Sequence, residues 1–159
     1  MVVLYEIKTF LKADQENTHV FMQELESLLR LQHLKGVMKL KDVIEDDESI
    51  SLLLLPKGSV TLREILDEQR RSGASQILFA RHTIKKLGEI VDKVHQKGVM
   101  HRNLNLDCVM MDYCFDQAPK VFSITDFDTA YHLKSRRMIK QSFTIEGKML
   151  PPEVEAGEA

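Results

Sequence analysis

This 159-residue chain lacks several features of secreted, membrane-spanning and nucleic-acid-binding proteins. It has two cysteines, Cys108 and Cys114, too few for a disulfide framework, and we expect both to be reduced. No apolar run approaches the roughly 20 residues that cross a bilayer, and a charge follows Met1 too soon for a signal sequence. The 22 basic and 24 acidic residues are nearly balanced, so neither nucleic acid nor an anionic membrane is expected as a partner. We therefore expect a cytoplasmic or nuclear protein.

The composition that is present is typical of one globular domain, with 43% hydrophobic and 29% charged residues and no internal repeat. Val3, Tyr5 and Ile7 alternate with Leu4, Glu6 and Lys8, which predicts a β-strand starting almost at the first residue. Asn17 or Thr18 would cap the next helix. The apolar positions of that helix follow helical spacing and are Phe21, Met22, Leu25, Leu28 and Leu29.

Further elements are predicted along the rest of the chain. Residues 37–43 and 49–55 read as two strands joined by an acidic turn, and Thr61 with Glu64 fits a capping box that starts a short helix. A longer helix runs from Ser75 and ends at Gly98, with Glu89 placed to pair with Lys93. Its apolar stripe is formed by Ile77, Ala80, Ile84, Leu87, Val91 and Val94. Residues 109–111 and 120–124 then predict a β-hairpin.

Two polar loops lie next to this hairpin, and they carry the chemistry. The first reads His101-Arg102-Asn103-Leu104-Asn105-Leu106-Asp107-Cys108, and the second reads Asp126-Phe127-Asp128. They resemble the H-R-D-L-x-x-x-N catalytic loop and the D-F-G metal-binding loop of protein kinases. Lys8 on the first strand and Glu24 on the first helix resemble the kinase ion pair that positions the α and β phosphates. Pro151-Pro152-Glu153 stands where the family has A-P-E.

The resemblance covers essentially the whole chain and implies an α+β fold, a partial two-lobe protein kinase-like domain. Within one domain spanning residues 1–159, residues 1–57 would be the remnant of the small lobe, with antiparallel strands and the αC helix. Residues 58–159 would run from the start of the mainly helical large lobe, through the catalytic-loop hairpin, to the end of the activation segment. The Gly-rich phosphate loop and the later part of the large lobe would be absent, so we expect a truncated domain.

Several residues depart from the family pattern at catalytic positions. Asn103 replaces the Asp that accepts the substrate proton, and an amide has no useful basicity. Asn105 replaces the usual Lys, and Cys108 replaces the Asn that holds the second Mg²⁺, for which a thiol is a poor ligand. Asp128 replaces a conformationally free Gly. Glu6 stands where a small Ala faces adenine, so its carboxylate would crowd the base and draw Lys8 away from phosphate.

The same resemblance assigns roles to residues that are retained. Leu54 and Met110 would contact the nucleotide, and Asp126 would hold one Mg²⁺. Arg102 would bind a phosphate on Ser142 or Thr144. His101 would be a packed loop residue rather than a partner for a Cys108 nucleophile, because no third orienting group is visible. The histidines and cysteines also lack the spacing of a zinc site.

The retained frame and the lost chemistry together predict a catalytically impaired kinase-like domain, a pseudokinase, that acts as a protein-interaction or regulatory module. Its partner would be a protein, either an active kinase or its substrate, bound through the αC helix or the activation segment. We expect no cofactor, or Mg·ATP bound weakly. Two alternatives stay open. One is a weak ATP-dependent kinase for Ser/Thr or Tyr that uses Lys8, Glu24 and Asp126, and the other is a non-functional fragment of a kinase gene.

Overall fold

The structure, a computed structural model, describes residues 5–55, 58–72, 77–112 and 122–133. The helices are α1 (Gln15–Leu31), α2 (Leu62–Ser72) and α3 (Ile77–Gln96). The strands are β1 (Glu6–Leu11), β2 (Lys39–Glu45), β3 (Ser49–Leu55), β4 (Val60–Thr61), β5 (Val99–Met100), β6 (Val109–Met111), β7 (Phe122–Ile124) and β8 (Tyr131–His132). Helices therefore combine with small antiparallel sheets, and the predicted α+β class is confirmed. Within these ranges no helix is both long and apolar enough to cross a membrane.

The first sheet is three-stranded, antiparallel and ordered β1-β3-β2. The prediction for β3 matches its observed bounds, whereas β2 begins two residues later than the predicted 37 and continues to Glu45. The first predicted strand included Tyr5, which lies before the observed β1; that strand starts at Glu6 and continues to Leu11. Residues 1–4 lie outside the described residues. In the register of this sheet, Lys8 lies opposite Leu52 and Glu6 lies opposite Leu54.

Helix α1 begins earlier than predicted because Asp14, not Asn17 or Thr18, is its N-cap. Asp14 Oδ1 accepts hydrogen bonds from the backbone N–H of Glu16 at 2.9 Å and of Asn17 at 3.4 Å. A carboxylate at this position satisfies amides that have no partner inside the helix. The predicted apolar stripe is also partly wrong, since Met22 and Leu29 are exposed.

The buried face of α1 contains two polar residues, Glu24 and Ser27, beside its apolar ones. Ser27 Oγ lies 2.8 Å from His132 Nε2, and the Gln23 amide donates to the Ala130 carbonyl. The helix therefore packs its inner face against the polar segment that follows Asp126. Hydrophobic periodicity cannot predict a face whose neighbour is itself polar.

Helices α2 and α3 give one confirmed start and one corrected face. The capping box at the start of α2 is present: Glu64 N donates to Thr61 Oγ1 at 3.2 Å, and Thr61 N donates to Glu64 Oε2 at 2.7 Å. The buried face of α3 is Thr83, Ile90 and Val94, with Leu87 and Val91 partly buried, whereas Ile77 and Ile84 are more than 70% exposed. The predicted stripe is therefore confirmed at Leu87, Val91 and Val94 and wrong at Ile77 and Ile84. Glu89 pairs with Lys86 at 3.1 Å, not with the predicted Lys93.

Ile90, which the predicted stripe did not include, packs against the turn at Gly36. A Cβ at Gly36 would lie 2.7 Å from Ile90 Cδ1, and Gly36 has φ +89°, a region that suits glycine. The same turn joins the two halves of the chain, since Ile124 N donates to the Gly36 carbonyl and Met38 N to the Ile124 carbonyl, both at 2.9 Å. β7 therefore holds the segment that leads into β2, and the buried apolar residues form one cluster.

The predicted hairpin is present between β6 and β7, in which Val109 lies opposite Ile124 and Met111 opposite Phe122. β4 adds to the other side of β6, and β8 pairs with β5. The residues between the hairpin strands, 113–121, lie outside the described residues, as do 56–57, 73–76 and 134–159. The predicted lobe boundary at 57/58 stays a prediction. The loop at Asp126 follows the hairpin and reaches Lys8 of β1.

Candidate phosphoryl-transfer site

Three carboxylates surround the ammonium of Lys8. Its Nζ lies 2.6 Å from Asp126 Oδ1, 2.7 Å from Glu24 Oε2 and 3.3 Å from Asp128 Oδ2. The elements that supply them are β1, α1 and the loop after β7, so the fold brings together residues more than a hundred positions apart. The pairing of Lys8 with Glu24 was predicted, and the contact with Asp128 was not. Glu6, which was expected to draw Lys8 away, is not among the carboxylates within 4 Å of Lys8 in the described chain.

Burial and charge act in opposite directions in this cluster. Burial would lower the pKa of Lys8, but the carboxylates of Glu24 and Asp126 outweigh it and raise the pKa above its ordinary value. Glu24 is 1% exposed, and burial raises its pKa to about 7 even though Lys8 opposes the change. Burial also raises the pKa of Asp128, with Asp126 adding to it and Lys8 opposing it. Lys8, Glu24, Asp126 and Asp128 form the Lys8 cluster, in which three carboxylates surround one ammonium, so acidic groups outnumber basic ones.

The backbone of this loop takes an unusual conformation at Asp126 but not at Asp128. Among the described non-glycine residues, positive φ occurs at Arg102 and Asp126, both at +67°. Such values cost free energy in residues with a Cβ and cluster at functional sites. Asp128, which replaces the Gly of the family pattern, is not among these residues. Its side chain places a carboxylate oxygen 3.3 Å from Lys8 Nζ.

In the loop from His101 to Cys108, the side chain of Asn105 is directed toward the backbone of the same loop. Asn105 Oδ1 accepts from Asp107 N at 2.9 Å and from Cys108 N at 3.3 Å, and Asn105 Nδ2 donates to the Asn103 carbonyl at 3.2 Å. Asn105 therefore stabilises the turn, a role that the sequence comparison with Lys did not suggest. Asn103 is half-buried, and its assignment to the position of the catalytic Asp stays a prediction.

Cys108 and Asp107 both contact groups of the protein. Cys108 is buried, burial raises the pKa of its thiol to about 11, and Sγ donates to the Asn103 carbonyl at 3.5 Å. The thiol is therefore protonated at neutral pH and is not an activated nucleophile. Asp107 points to Arg63 of α2, with Oδ1 2.6 Å from Nε.

His101 is packed, as the sequence predicted, and it joins the two loops. Its Nε2 donates to the Thr125 carbonyl at 2.9 Å, and its ring centroid lies 4.7 Å from that of the fully buried Phe127. Burial lowers the pKa of His101, so the neutral ring is favoured. Thr129 Oγ1 also donates to the His101 carbonyl at 3.2 Å. These contacts fix the catalytic loop against the Asp126 loop.

The remaining predicted site residues lie around this cluster or beyond the described chain. Leu54 is 1% exposed and pairs in register with the exposed Glu6, while Met110 is half-buried on β6. Arg102 is half-buried, and burial lowers the pKa of its guanidinium. Ser142 and Thr144 lie outside the described residues. The nucleotide-binding and regulatory roles of these residues stay predictions.

The donor set fits one hard cation poorly and a second one not at all. Asp126 offers a carboxylate, but Lys8 already occupies Oδ1, and the second position offers a protonated thiol. Among the described residues, no group of three or more His, Cys, Asp or Glu side chains is arranged to hold a metal ion.

Comparisons with known proteins identify the family to which this frame belongs. The sequence profile of the protein kinase domain matches residues 3–158. Human ribosomal protein S6 kinase alpha-1 is 28% identical over 152 residues, covering 94% of this chain and 19% of that kinase. Mouse calcium/calmodulin-dependent protein kinase type IV is 30% identical over 117 residues, covering 74% and 24% of the two chains. Serine/threonine-protein kinase PkaB of Streptomyces coelicolor is 26% identical over 163 residues, covering 98% and 37%.

The chain therefore spans about a fifth of the length of the first of these relatives. The profile covers both polar loops, β1 and α1, so it includes every residue of the Lys8 cluster. On the match to the profile, this chain belongs to the protein kinase domain family.

Proposed function

We propose that the chain is a catalytically impaired kinase-like domain that acts as a protein-interaction or regulatory module. The observation that carries the proposal is the Lys8 cluster. In an active kinase the corresponding lysine pairs with phosphate, but here Asp126 and Asp128 approach its ammonium together with Glu24. An incoming triphosphate would have to displace carboxylates from a partly buried cation and would meet their negative charge. Both effects weaken nucleotide binding.

The loop from His101 to Cys108 supports the same proposal because it lacks a general base. Asn103 has no basicity, and general-base catalysis is typically worth about 10² to 10⁴ in rate. The buried Cys108 thiol offers no hard oxygen donor for a second ion. These losses concern base, metal and phosphate contact at once, whereas the packing of His101 and Phe127 is kept. A domain that keeps this packing but lacks these catalytic groups is suited to binding a partner.

A face of α1 is the candidate surface for a protein partner. Met22 and Leu29 are 55% and 49% exposed and lie seven residues apart, hence on the same side of the helix. The inner face of α1 is committed to Lys8 and to the segment after Asp126. A partner that binds Met22 and Leu29 would therefore contact the same helix that places Glu24 beside Lys8. We propose an active kinase or its substrate as this partner.

Thermal unfolding with and without Mg·ATP tests the nucleotide part of the proposal. A ligand at 100 times its dissociation constant stabilises a folded protein by about 2.7 kcal/mol. We expect a cooperative transition that millimolar Mg·ATP leaves unchanged in the wild type. A rise in Tm that is lost in Asp126→Ala but kept in Asp107→Ala, an exposed aspartate in the neighbouring loop, would contradict the proposal.

Surface plasmon resonance against a panel of active serine/threonine kinases tests the interaction part. Met22→Asp should weaken binding of any partner found by about tenfold or more, because it places a charge in an apolar contact. Ile77→Asp is the matched control, since Ile77 is a more exposed apolar residue on a different helix. Equal loss in both variants, or none in either, would refute α1 as the binding face.

A weak protein kinase is the second candidate, and the ion pair between Lys8 and Glu24 at 2.7 Å favours it. The relative PkaB is named a serine/threonine kinase, which makes serine or threonine the preferred acceptor on this reading. Phosphate transfer to a generic substrate that Asp126→Ala abolishes would establish this activity. The third reading, a non-functional fragment, would be favoured by the absence of any cooperative unfolding transition.

Arg102 carries the regulatory part of the proposal. A phosphate on Ser142 or Thr144 would offer charge-assisted hydrogen bonds to a guanidinium whose pKa burial lowers. Mass spectrometry of the protein isolated from cells should then find a phosphate at one of these positions, and Arg102→Ala should lower its protection from phosphatase.

A further inference from the structure

His132 of β8 is buried against helix α1 between two polar side chains. Its own side chain is 5% exposed. Nε2 lies 2.8 Å from Ser27 Oγ, and Nδ1 lies 3.3 Å from Glu26 Oε2. Both ring nitrogens therefore have a polar neighbour on α1, and the contact joins this helix to the segment that follows Asp126. None of the kinase motifs identified in the sequence includes this histidine.

The neighbours of the two nitrogens determine which nitrogen carries the proton in the neutral ring. The Glu26 carboxylate can only accept a hydrogen bond, so the protonated nitrogen is Nδ1. Nε2 is then an acceptor, and the Ser27 hydroxyl donates to it. Ser27 Oγ also lies 2.8 Å from the Gln23 carbonyl, a second acceptor for the same proton. The hydroxyl can therefore turn from Nε2 to the Gln23 carbonyl and still donate a hydrogen bond.

Protonation of His132 would use this second position of the hydroxyl. An imidazolium donates from both nitrogens, so Nε2–H would donate to Ser27 Oγ while Ser27 donates to the Gln23 carbonyl. The hydrogen bonds are kept, but a positive charge now lies inside the contact. Arg30 already binds the other oxygen of Glu26 at 2.5 Å, so two cations would share one carboxylate. Burial and Arg30 lower the pKa of His132 although Glu26 opposes the change.

The charged groups that act on His132 come from one element. In the described part of the chain they are Glu26 and Arg30, both on α1. The other element that packs against His132 is β5, which places the fully buried, apolar Val99 opposite it. A proton added to the ring is therefore compensated by one half-exposed carboxylate that already binds Arg30.

We propose that Ser27, His132 and Glu26 form a proton-operated latch between α1 and β8, closed while the ring is neutral and weakened when the ring takes up a proton. The ordinary pKa of histidine is 6.5, and the value in the folded protein is lower. The contribution of the latch to stability is therefore complete above pH 6.5 and is lost as the pH falls below it. The latch does not depend on the proposed function, since it needs neither a nucleotide nor a protein partner.

Nitrogen-15 NMR of the histidine rings in the full chain tests the geometry of the latch. At pH 7.5 the ring that is missing from the spectrum of His132→Gln should be in the Nδ1–H form. Arg30→Gln should raise the pH midpoint of its titration, because it removes the second cation, and Glu26→Gln should lower the midpoint, because it removes the carboxylate. A ring in the Nε2–H form, or a midpoint that neither variant moves, would overturn the proposal.

Hydrogen exchange tests whether the proton weakens the contact. The Leu133 amide donates to the Gly98 carbonyl at 2.9 Å next to His132, so it reports on β8. Its protection factor, which is corrected for the intrinsic exchange rate, should fall several-fold between pH 7.5 and pH 5.5. About tenfold is the limit, because pH 5.5 lies one unit below the ordinary histidine pKa of 6.5.

Two variants serve as the comparison for this fall in protection. It should be absent in His132→Gln and kept in His33→Gln, which removes an exposed histidine in the turn after α1. Circular dichroism melts would verify that each variant is folded. An equal fall in all three proteins, or constant protection in the wild type, would refute the latch.

Discussion

Replacing Glu24 by Gln should change how the stability of the protein depends on pH. Glu24 is 1% exposed and faces Lys8, while Asp126 and Asp128 approach the same ammonium. Burial raises the pKa of Glu24 to about 7. Gln has nearly the same shape as Glu and does not titrate. The substitution therefore removes one ionisation and keeps the packing between β1 and α1.

The sign of the effect follows from the two pKa values of Glu24. In the unfolded chain the pKa is 4.5, and in the folded protein it is raised, so the folded state binds the proton more tightly. The stability that protonated Glu24 contributes is present below pH 4.5 and is lost as the pH rises through about 7. A change from 4.5 to about 7 corresponds to about 3 kcal/mol in total.

Other titrating groups are common to both proteins and largely cancel in the comparison. Burial lowers the pKa of His101 and of His132, so their contributions are lost as the pH falls and oppose the trend from Glu24. Asp128, with its raised pKa, acts in the same direction as Glu24 but is present in both proteins. The raised pKa of Lys8 keeps it charged throughout the range.

Urea unfolding between pH 5 and pH 8, in the presence of EDTA, would measure this difference. The free energy of unfolding of the wild type should fall relative to Glu24→Gln by most of the roughly 3 kcal/mol as the pH rises. Glu68→Gln is the control, because Glu68 is an exposed residue of α2 paired with Arg71. A difference between wild type and Glu24→Gln that stays constant with pH would refute the reasoning.

Three further predictions concern neighbouring parts of the structure. Asp128→Asn should tighten Mg·ATP binding about tenfold, measured by calorimetry, because it removes a carboxylate 3.3 Å from the Lys8 ammonium and keeps the side-chain shape; unchanged affinity would contradict a charge effect. Cys108 should react slowly with iodoacetamide at pH 8 in a Cys114→Ser background, and rapidly in urea, because burial raises its thiol pKa to about 11; fast labelling of the native protein would be inconsistent with this environment. Asp14→Ala should lower the free energy of unfolding by roughly 0.5–2 kcal/mol, whereas Asn17→Ala should have a small effect, since Asp14 is the N-cap of α1.

Local sequence signals predicted the parts of the fold whose cause is local. The capping box of Thr61 and Glu64 and the hairpin of β6 and β7 depend on residues close in sequence, and both are present. The N-cap of α1 was predicted wrongly although Asp14 is a good capping residue, because apolar positions that begin at Phe21 favour a start one turn later.

Features that depend on distant neighbours were the ones that periodicity could not predict. The buried face of α3 is set by Ile90 packing against Gly36, and α1 buries Ser27 because His132 lies opposite. The motif comparison predicted the pair of Lys8 and Glu24, but it predicted no contact between Lys8 and Asp128. The structure gives it a non-positive φ and a contact with Lys8 instead. Only the three-dimensional arrangement brings that charge to the ammonium.

The position of Asp128 also bears on how a kinase-like frame stays folded without nucleotide. A half-buried lysine between Glu24 and Asp126 has ample negative charge already, so Asp128 is not needed to neutralise it. Its carboxylate instead supplies, from within the chain, negative charge of the kind that a bound phosphate would bring. On the proposed function, the domain then keeps β1, α1 and the Asp126 loop together at all nucleotide concentrations. A surface on α1 would be presented constantly, which suits a binding module better than an enzyme that must exchange ATP for ADP.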